Sequence, residues 1–90
     1  MKRVIDKKTY DTQTAYRLTR SDFGIELYVT PKGRYFAAHW DHFNRGRDYI
    51  EALTVDDAIK LYELHDGAQS AARAYVTFET AFPDVAVEEA

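Results

Sequence analysis

Between Gly24 and His42 the chain carries a hairpin signal that restricts everything around it. Gly24-Ile-Glu-Leu-Tyr-Val-Thr30 alternates, placing Ile25, Leu27 and Val29 on one side and Glu26, Tyr28 and Thr30 on the other. Thr30-Pro31-Lys32-Gly33-Arg34 supplies proline at the second turn position and glycine where a positive φ is needed. That pattern predicts a type I turn closed by a bulge. Pairing Thr30 with Arg34 sets the register: Val29 opposite Tyr35, Leu27 opposite Ala37 and Ile25 opposite His39 on one surface. On the other surface Tyr28 meets Phe36 and Glu26 meets Ala38, with Trp40 and His42 following. Both surfaces are apolar or aromatic, so whatever surrounds this hairpin must account for two faces.

The flanking segments supply the candidates. Val4-Ile5 and Thr9-Tyr10 bracket Asp6-Lys7-Lys8 and read as a short hairpin or bend. Asp11 to Leu18 admits two readings, a brief helix capped by Asp11 or Thr12, or a strand in which Thr14, Tyr16 and Leu18 alternate. Asp48 to Leu53 predicts a further antiparallel strand after the polar loop Asn44-Arg-Gly-Arg47. Thr54 caps a helix, with Asp57 three residues on completing a capping-box variant and acids in the first turn suiting the helix dipole. Val55, Ala58, Ile59, Tyr62 and His65 follow the 3.6-residue period. Leu61 widens that apolar side, Leu64 falls among the polar residues, and Asp66-Gly67 ends the helix. Ala71, Tyr75, Phe78 and Phe82 predict a second helix stopping before Pro83. The run Tyr75-Val-Thr-Phe78 keeps a strand open over 69–82. The expected architecture is a single α+β domain over 1–90: a three- or four-stranded antiparallel sheet followed by two helices packed on one face.

Length and composition remove whole classes of function. Ninety residues leave no room for a doubly wound dinucleotide fold or a β/α barrel. The absence of cysteine excludes disulfide scaffolds, cysteine-ligated zinc and thiol catalysis together. A hydrophobic share of 46% is too high for intrinsic disorder. No apolar run approaches the roughly 20 residues of a membrane span, and Met1-Lys-Arg-Val-Ile5 lacks a secretory apolar segment, so no membrane association is expected. The formal charge of −3 hides a division. Residues 1–53 carry ten Lys/Arg against seven Asp/Glu, and residues 54–90 carry two against eight, giving local charges of +3 and −6.

Candidate chemistry is sparse. His39-Trp40-Asp41-His42, with His65 further on, holds metal-ligand types, but on a strand His39 and Asp41 share a face that His42 does not. Half-buried structural histidines and no metal site are the expectation. Ser21 and Ser70 lie in no nucleophile elbow, the four glycines are isolated, and Asp56-Asp57 are explained by the helix start. The chain therefore reads as a non-enzyme without a cofactor.

Binding is the remaining class. Tyr28, Phe36 and Trp40 form an aromatic stripe that two helices on the opposite face would leave open. Tyr, Trp and Arg dominate interface energetics, which makes Tyr28, Arg34, Phe36, Trp40, Arg45 and Arg47 the expected partner-binding set. Asp56, Asp57 and Glu63 form an acidic surface on the helix. The N-terminal 20 residues, or a second copy of the chain in a homodimer, offer other covers for the stripe. The alternative reading is a small nucleic-acid-binding or regulatory protein using Arg34 to Tyr49, where arginines lie among base-stacking aromatics. A pI near 5.5 argues against strong non-specific binding of that kind.

A family resemblance can be set beside these readings. Val4-Ile-Asp-Lys-Lys-Thr-Tyr-Asp-Thr-Gln-Thr-Ala15 resembles the opening of small uncharacterised proteins from bacterial genomes, phages and mobile elements. Glu26-Leu-Tyr-Val-Thr-Pro-Lys-Gly-Arg-Tyr-Phe36 is similar to their hairpin, and Leu53-Thr-Val-Asp-Asp-Ala58 to their helix start. Lys7 stands where those openings have a turn glycine, and their glycine-rich segment after the hairpin is reduced to Asn44–Arg47. The resemblance implies an accessory or counter-defence role in the bacterial cytoplasm. The most concrete form is inhibition of a defence complex such as CRISPR–Cas by steric occlusion of a Cas effector subunit. The acidic surface would imitate phosphates only weakly, so the aromatic face is the expected anchor.

Overall fold

The structure is a computed structural model that describes residues 1–41, 47–67 and 71–90. The hairpin that dominates the sequence forms as its residues dictate. Strand β4 (Ile25–Val29) pairs antiparallel with β5 (Tyr35–His39) in the expected register, Val29 opposite Tyr35 through Ile25 opposite His39. Gly33 takes φ +84° and its N–H donates to Thr30 O at 2.9 Å, while Arg34 N–H donates to Thr30 Oγ1 at 3.1 Å. The connection into β4 repeats this design. Gly24 takes φ +87°, its N–H donates to Ser21 O at 3.1 Å, and Ile25 N–H donates to Ser21 Oγ at 3.3 Å. Ser21-Asp-Phe-Gly24 and Thr30-Pro-Lys-Gly33 are thus the same turn, each with a hydroxyl at the first position and glycine in the left-handed one.

That second turn brings in β3 (Tyr16–Ser21), which resolves Asp11 to Leu18 in favour of a strand from Tyr16 onward. The register shifts between Arg17 and Thr19, a bulge that leaves both Leu18 and Thr19 buried. Strand β6 (Tyr49–Ala52) adds outside β5 as expected. The fifth strand, β7 (Ala72–Ala74), pairs with β3 and completes the order β6-β5-β4-β3-β7.

The fold is α+β, but among the described residues the main sheet has five strands rather than the expected three or four, a two-stranded sheet accompanies it, and the expected second helix shrinks to one turn. Ala71, Tyr75, Phe78 and Phe82 have helical spacing, yet only Phe78–Ala81 is helical (α2). Ala72–Ala74 instead satisfies the open edge of β3, a pairing extended by Asp22 N–H to Ala71 O and Tyr75 N–H to Leu18 O. Pairing with the open donors and acceptors of β3 takes the place of the first turns of that helix. Thr77 then caps α2, its hydroxyl accepting from Thr80 N–H at 3.3 Å.

Helix α1 (Val55–Gly67) starts and stops where the sequence predicts, with Thr54 Oγ1 accepting from Asp57 N–H at 3.1 Å. It packs on one face of the sheet through Ala58 and Tyr62 against Leu18, Leu27 and Tyr35, joined by Ala81 and Phe82. The Tyr35 and Phe82 rings stack at 4.9 Å, and Tyr62 meets Phe82 edge-on at 5.7 Å. Tyr35 Oη donates to Ala81 O at 2.5 Å and Tyr62 Oη to Val76 O at 2.6 Å, so the two buried phenols fasten the C-terminal segment.

The opposite face has its own cover. Strands β1 (Lys2–Ile5) and β2 (Lys8–Asp11) form a two-stranded sheet. Tyr10 from β2 lies over Phe36 (5.4 Å, edge-on), which stacks on Tyr28 at 5.1 Å. Tyr10, Tyr28, Phe36, Ala38 and Ile50 form a second buried cluster, flanked by Met1, Ile5, Ala15 and Trp40. Arg3 Nη1 donates to Ile50 O at 3.2 Å and ties the hairpin to β6. The five-stranded sheet is therefore enclosed by α1 on one side and the β1–β2 hairpin on the other.

Candidate functional site

The second cover removes part of the expected contact surface. Phe36 is 0% exposed and Tyr28 6%, so these two residues of the aromatic stripe are core. Their rings are buried because the N-terminal hairpin takes the position a partner would have occupied. Arg34 is exposed at the β4–β5 turn and Arg47 is exposed, whereas Arg45 and His42 lie outside the described residues. Asp56, Asp57 and Glu63 are exposed on α1 as expected. Among the described residues the structure does not gather Arg34, Trp40 and Arg47 into one lining; it gathers Trp40 with a different set.

That set stands on the part of the face that lies along β3 and β7. Register places Arg17 opposite Tyr28, and Arg20 opposite both Glu26 on β4 and Arg73 on β7. Glu26 is the organising residue. Its carboxylate accepts from Arg17 Nη1 at 2.8 Å, Tyr28 Oη at 3.1 Å and Trp40 Nε1 at 2.5 Å. Three donors on one carboxylate, whose side chain is only 12% exposed, fix a cation and two rings in mutual orientation. Burial, followed by the charge and hydrogen bond of Glu26, pushes the Tyr28 phenol up to about 12, so it stays a donor at every physiological pH. The hydrogen bond that Arg17 donates to Glu26 also raises Arg17 above its already high value.

Beyond this carboxylate lies Tyr75, 38% exposed. The Arg17 guanidinium lies 4.7 Å from its ring centroid and that of Arg73 5.1 Å. Two cations on one aromatic ring, with Arg20 and Trp40 along the adjoining groove, make a surface of planar, pre-positioned donors and ring faces. Arg20 is loosely paired with Asp22 at 3.7 Å. The patch can bind: Arg73 and Tyr75 present exposed groups, and Glu26 already holds its three donors.

The histidines are placed separately. His39 stacks on Tyr49 at 4.2 Å and bonds Glu51 Oε1 through Nε2 at 2.9 Å. His65, expected to be half-buried, is 3% exposed, and its Nδ1 shares a 2.6 Å hydrogen bond with Thr19 Oγ1. Burial lowers its pKa, which favours the neutral ring. No cluster of three His, Asp or Glu side chains suited to a metal ion occurs among the described residues. None of the described helices is long and apolar enough to cross a membrane.

Arg17, Arg20, Arg73 and Tyr75 are not in the partner-binding set expected from the sequence. Arg17 sat in the segment read two ways, and Arg73 and Tyr75 in the segment read as helix. The strand alternative for Asp11 to Leu18 puts Arg17 on a strand, but the registers that bring Arg20 beside Glu26 and Arg73 have no local signal. Comparison with known proteins finds no matching family model, no matching curated protein and no matching solved structure.

Proposed function

We propose that this chain is a non-catalytic protein-binding module whose contact surface is the patch formed by Arg17, Arg20, Trp40, Arg73 and Tyr75. The observation that carries the reading is the pair of guanidiniums on the partly exposed Tyr75 ring, of which that of Arg17 is held by Glu26. Such a patch combines the residue types that most often become binding hot spots with side chains already held in place, which lowers the entropy lost on association. A standard interface buries about 800 Å² per partner. The molecule exposes 6542 Å², so an interface centred here would occupy about an eighth of it. The partner chemistry is an acidic surface that accepts from Arg17 and Arg73 and stacks on Tyr75.

The partner class follows the resemblance of the opening and hairpin motifs: a subunit of a bacterial defence complex, CRISPR–Cas included, blocked sterically. The test is phage plating on a CRISPR-competent bacterial host expressing either the wild type or Arg17→Ala/Arg73→Ala/Tyr75→Ala. Restored plating with the wild type and its loss with the variant, at equal expression and thermal stability, is the expected result. Equal protection of phage by both proteins would remove the patch from the account, and no restoration by the wild type would remove this partner class.

A further inference from the structure

A second basic surface lies at the tips of the two hairpins, where segments 7–9 and 30–34 line a common groove. Lys7 lies in the β1–β2 turn and Lys8 begins β2, while Lys32 and Arg34 come from the β4–β5 turn. Residues more than 20 positions apart in sequence are thus brought to one place by the docking of the N-terminal hairpin. No carboxylate lines this groove among the described residues. The nearest ion pair, Lys8 with Asp6 at 3.7 Å, involves an acid whose side chain is 89% exposed and screened by water. Four cations meet one exposed acid here, which leaves a local excess of positive charge that favours an anionic ligand.

The backbone gives an independent reason to look here. Asp6 and Lys7 take φ +50° and +63°, the left-handed pair required by a tight hairpin turn. Glycine is the residue such a second position favours, and a lysine there costs conformational free energy. The chain keeps its cation at the one turn position where lysine is disfavoured, and that cation lines the groove. The opposite wall is rigid. Pro31 fixes the turn, and Thr30 accepts from Gly33 N–H and Arg34 N–H.

We propose that this groove binds the phosphodiester backbone of a nucleic acid through Lys7, Lys8, Lys32 and Arg34. No aromatic ring lines it, so it offers phosphate contacts without base stacking, and binding is indifferent to sequence. Several cations in one groove suit a ligand that presents phosphates in series. The acidic helix α1 packs on the other face of the sheet, which directs a polyanion toward the hairpin side. This site is separate from the Arg17–Tyr75 patch, and its test does not depend on a protein partner.

The experiment is fluorescence anisotropy with labelled single-stranded and duplex DNA of about 20 nucleotides, read across salt concentration. With four phosphate contacts, the slope of log K against log salt for duplex is about −3.6, a loss of roughly 50-fold between about 50 and 150 mM salt. Lys7→Gly is the decisive variant, because its effects on folding and binding run in opposite directions. It is expected to raise Tm by about 2–6 °C through relief of the left-handed lysine. It should also weaken duplex binding by about five- to tenfold at low salt and flatten the slope by about 0.9. Lys32→Ala and Arg34→Ala should behave alike in binding, and Lys60→Ala, which removes the same charge from the exposed side of α1, should bind as the wild type does. Loss of binding in Lys60→Ala equal to that in Lys32→Ala would show an effect of net charge alone and overturn the proposal. No binding of either DNA at low salt, or binding of pyrophosphate without DNA, would overturn it as well.

Discussion

Phe36→Ala tests whether the aromatic stripe is a core or a contact surface. Phe36 is fully buried, with Tyr10 edge-on at 5.4 Å and Tyr28 stacked at 5.1 Å. Removing a buried phenyl ring costs about 3–5 kcal/mol, of which each of the two aromatic contacts accounts for roughly 0.5–1.5. A domain of this size has only about 5–15 kcal/mol of stability, and each kcal/mol moves Tm by roughly 4–8 °C. The alanine variant should therefore lose at least about 12 °C, and Phe36→Leu, which keeps most of the volume but loses both ring contacts, about 1–3 kcal/mol. Urea unfolding followed by Trp40 fluorescence provides the readout, since Trp40 packs against the same cluster. In Phe36→Leu, amide exchange at Tyr10 should quicken before that at Leu27, because the N-terminal hairpin loses its anchor first. A Phe36→Ala protein within about 0.5 kcal/mol of wild type would refute the two-cover architecture, because that is the cost of a surface substitution.

Three other outcomes follow from particular bonds. Tyr35→Phe removes the 2.5 Å bond to Ala81 O and leaves a buried carbonyl without that donor, so it should cost about 1–3 kcal/mol in chemical denaturation; a change below about 0.3 would contradict the fastening role. Burial lowers the His65 pKa below its ordinary 6.5, so the unfolded chain takes up a proton before the native one does. The resulting stability is complete above about pH 6.5 and is lost as pH falls toward the native pKa; His65→Asn should abolish that segment of the pH–stability curve, and a curve unchanged by the substitution would contradict it. Glu26→Gln should bring the Tyr28 phenol down from about 12 while leaving it above 10, since burial remains and the charge is gone; an unaltered tyrosine titration by ultraviolet absorbance would refute the triple-donor geometry.

The parts of the fold that were legible in sequence are those whose signal is local. Thr30-Pro-Lys-Gly33 names its own turn, and with it the pairing of Tyr28 with Phe36 and Leu27 with Ala37. Thr54 and Gly67 mark the ends of α1. The strand at Ala72–Ala74 was not legible, because its stabilisation comes from the edge of β3, more than 50 residues earlier, rather than from its own residues. The same non-local docking decides the candidate site. Alternation alone shows that Tyr28 and Phe36 share a face, but which segment covers that face depends on where Tyr10 lands. The Arg17–Tyr75 patch exists only once both placements are known, since the arginines that flank the ring come from opposite ends of the chain.

Site-specific photo-crosslinking in bacterial cells examines the proposed contact surface most directly. Tyr75→p-benzoylphenylalanine should yield a discrete adduct with one partner, abolished by Arg17→Ala/Arg73→Ala, while the same probe in place of Asp57 on the exposed side of α1 yields none. An adduct at position 57 with none at position 75 would place the partner on the acidic helix and contradict the account.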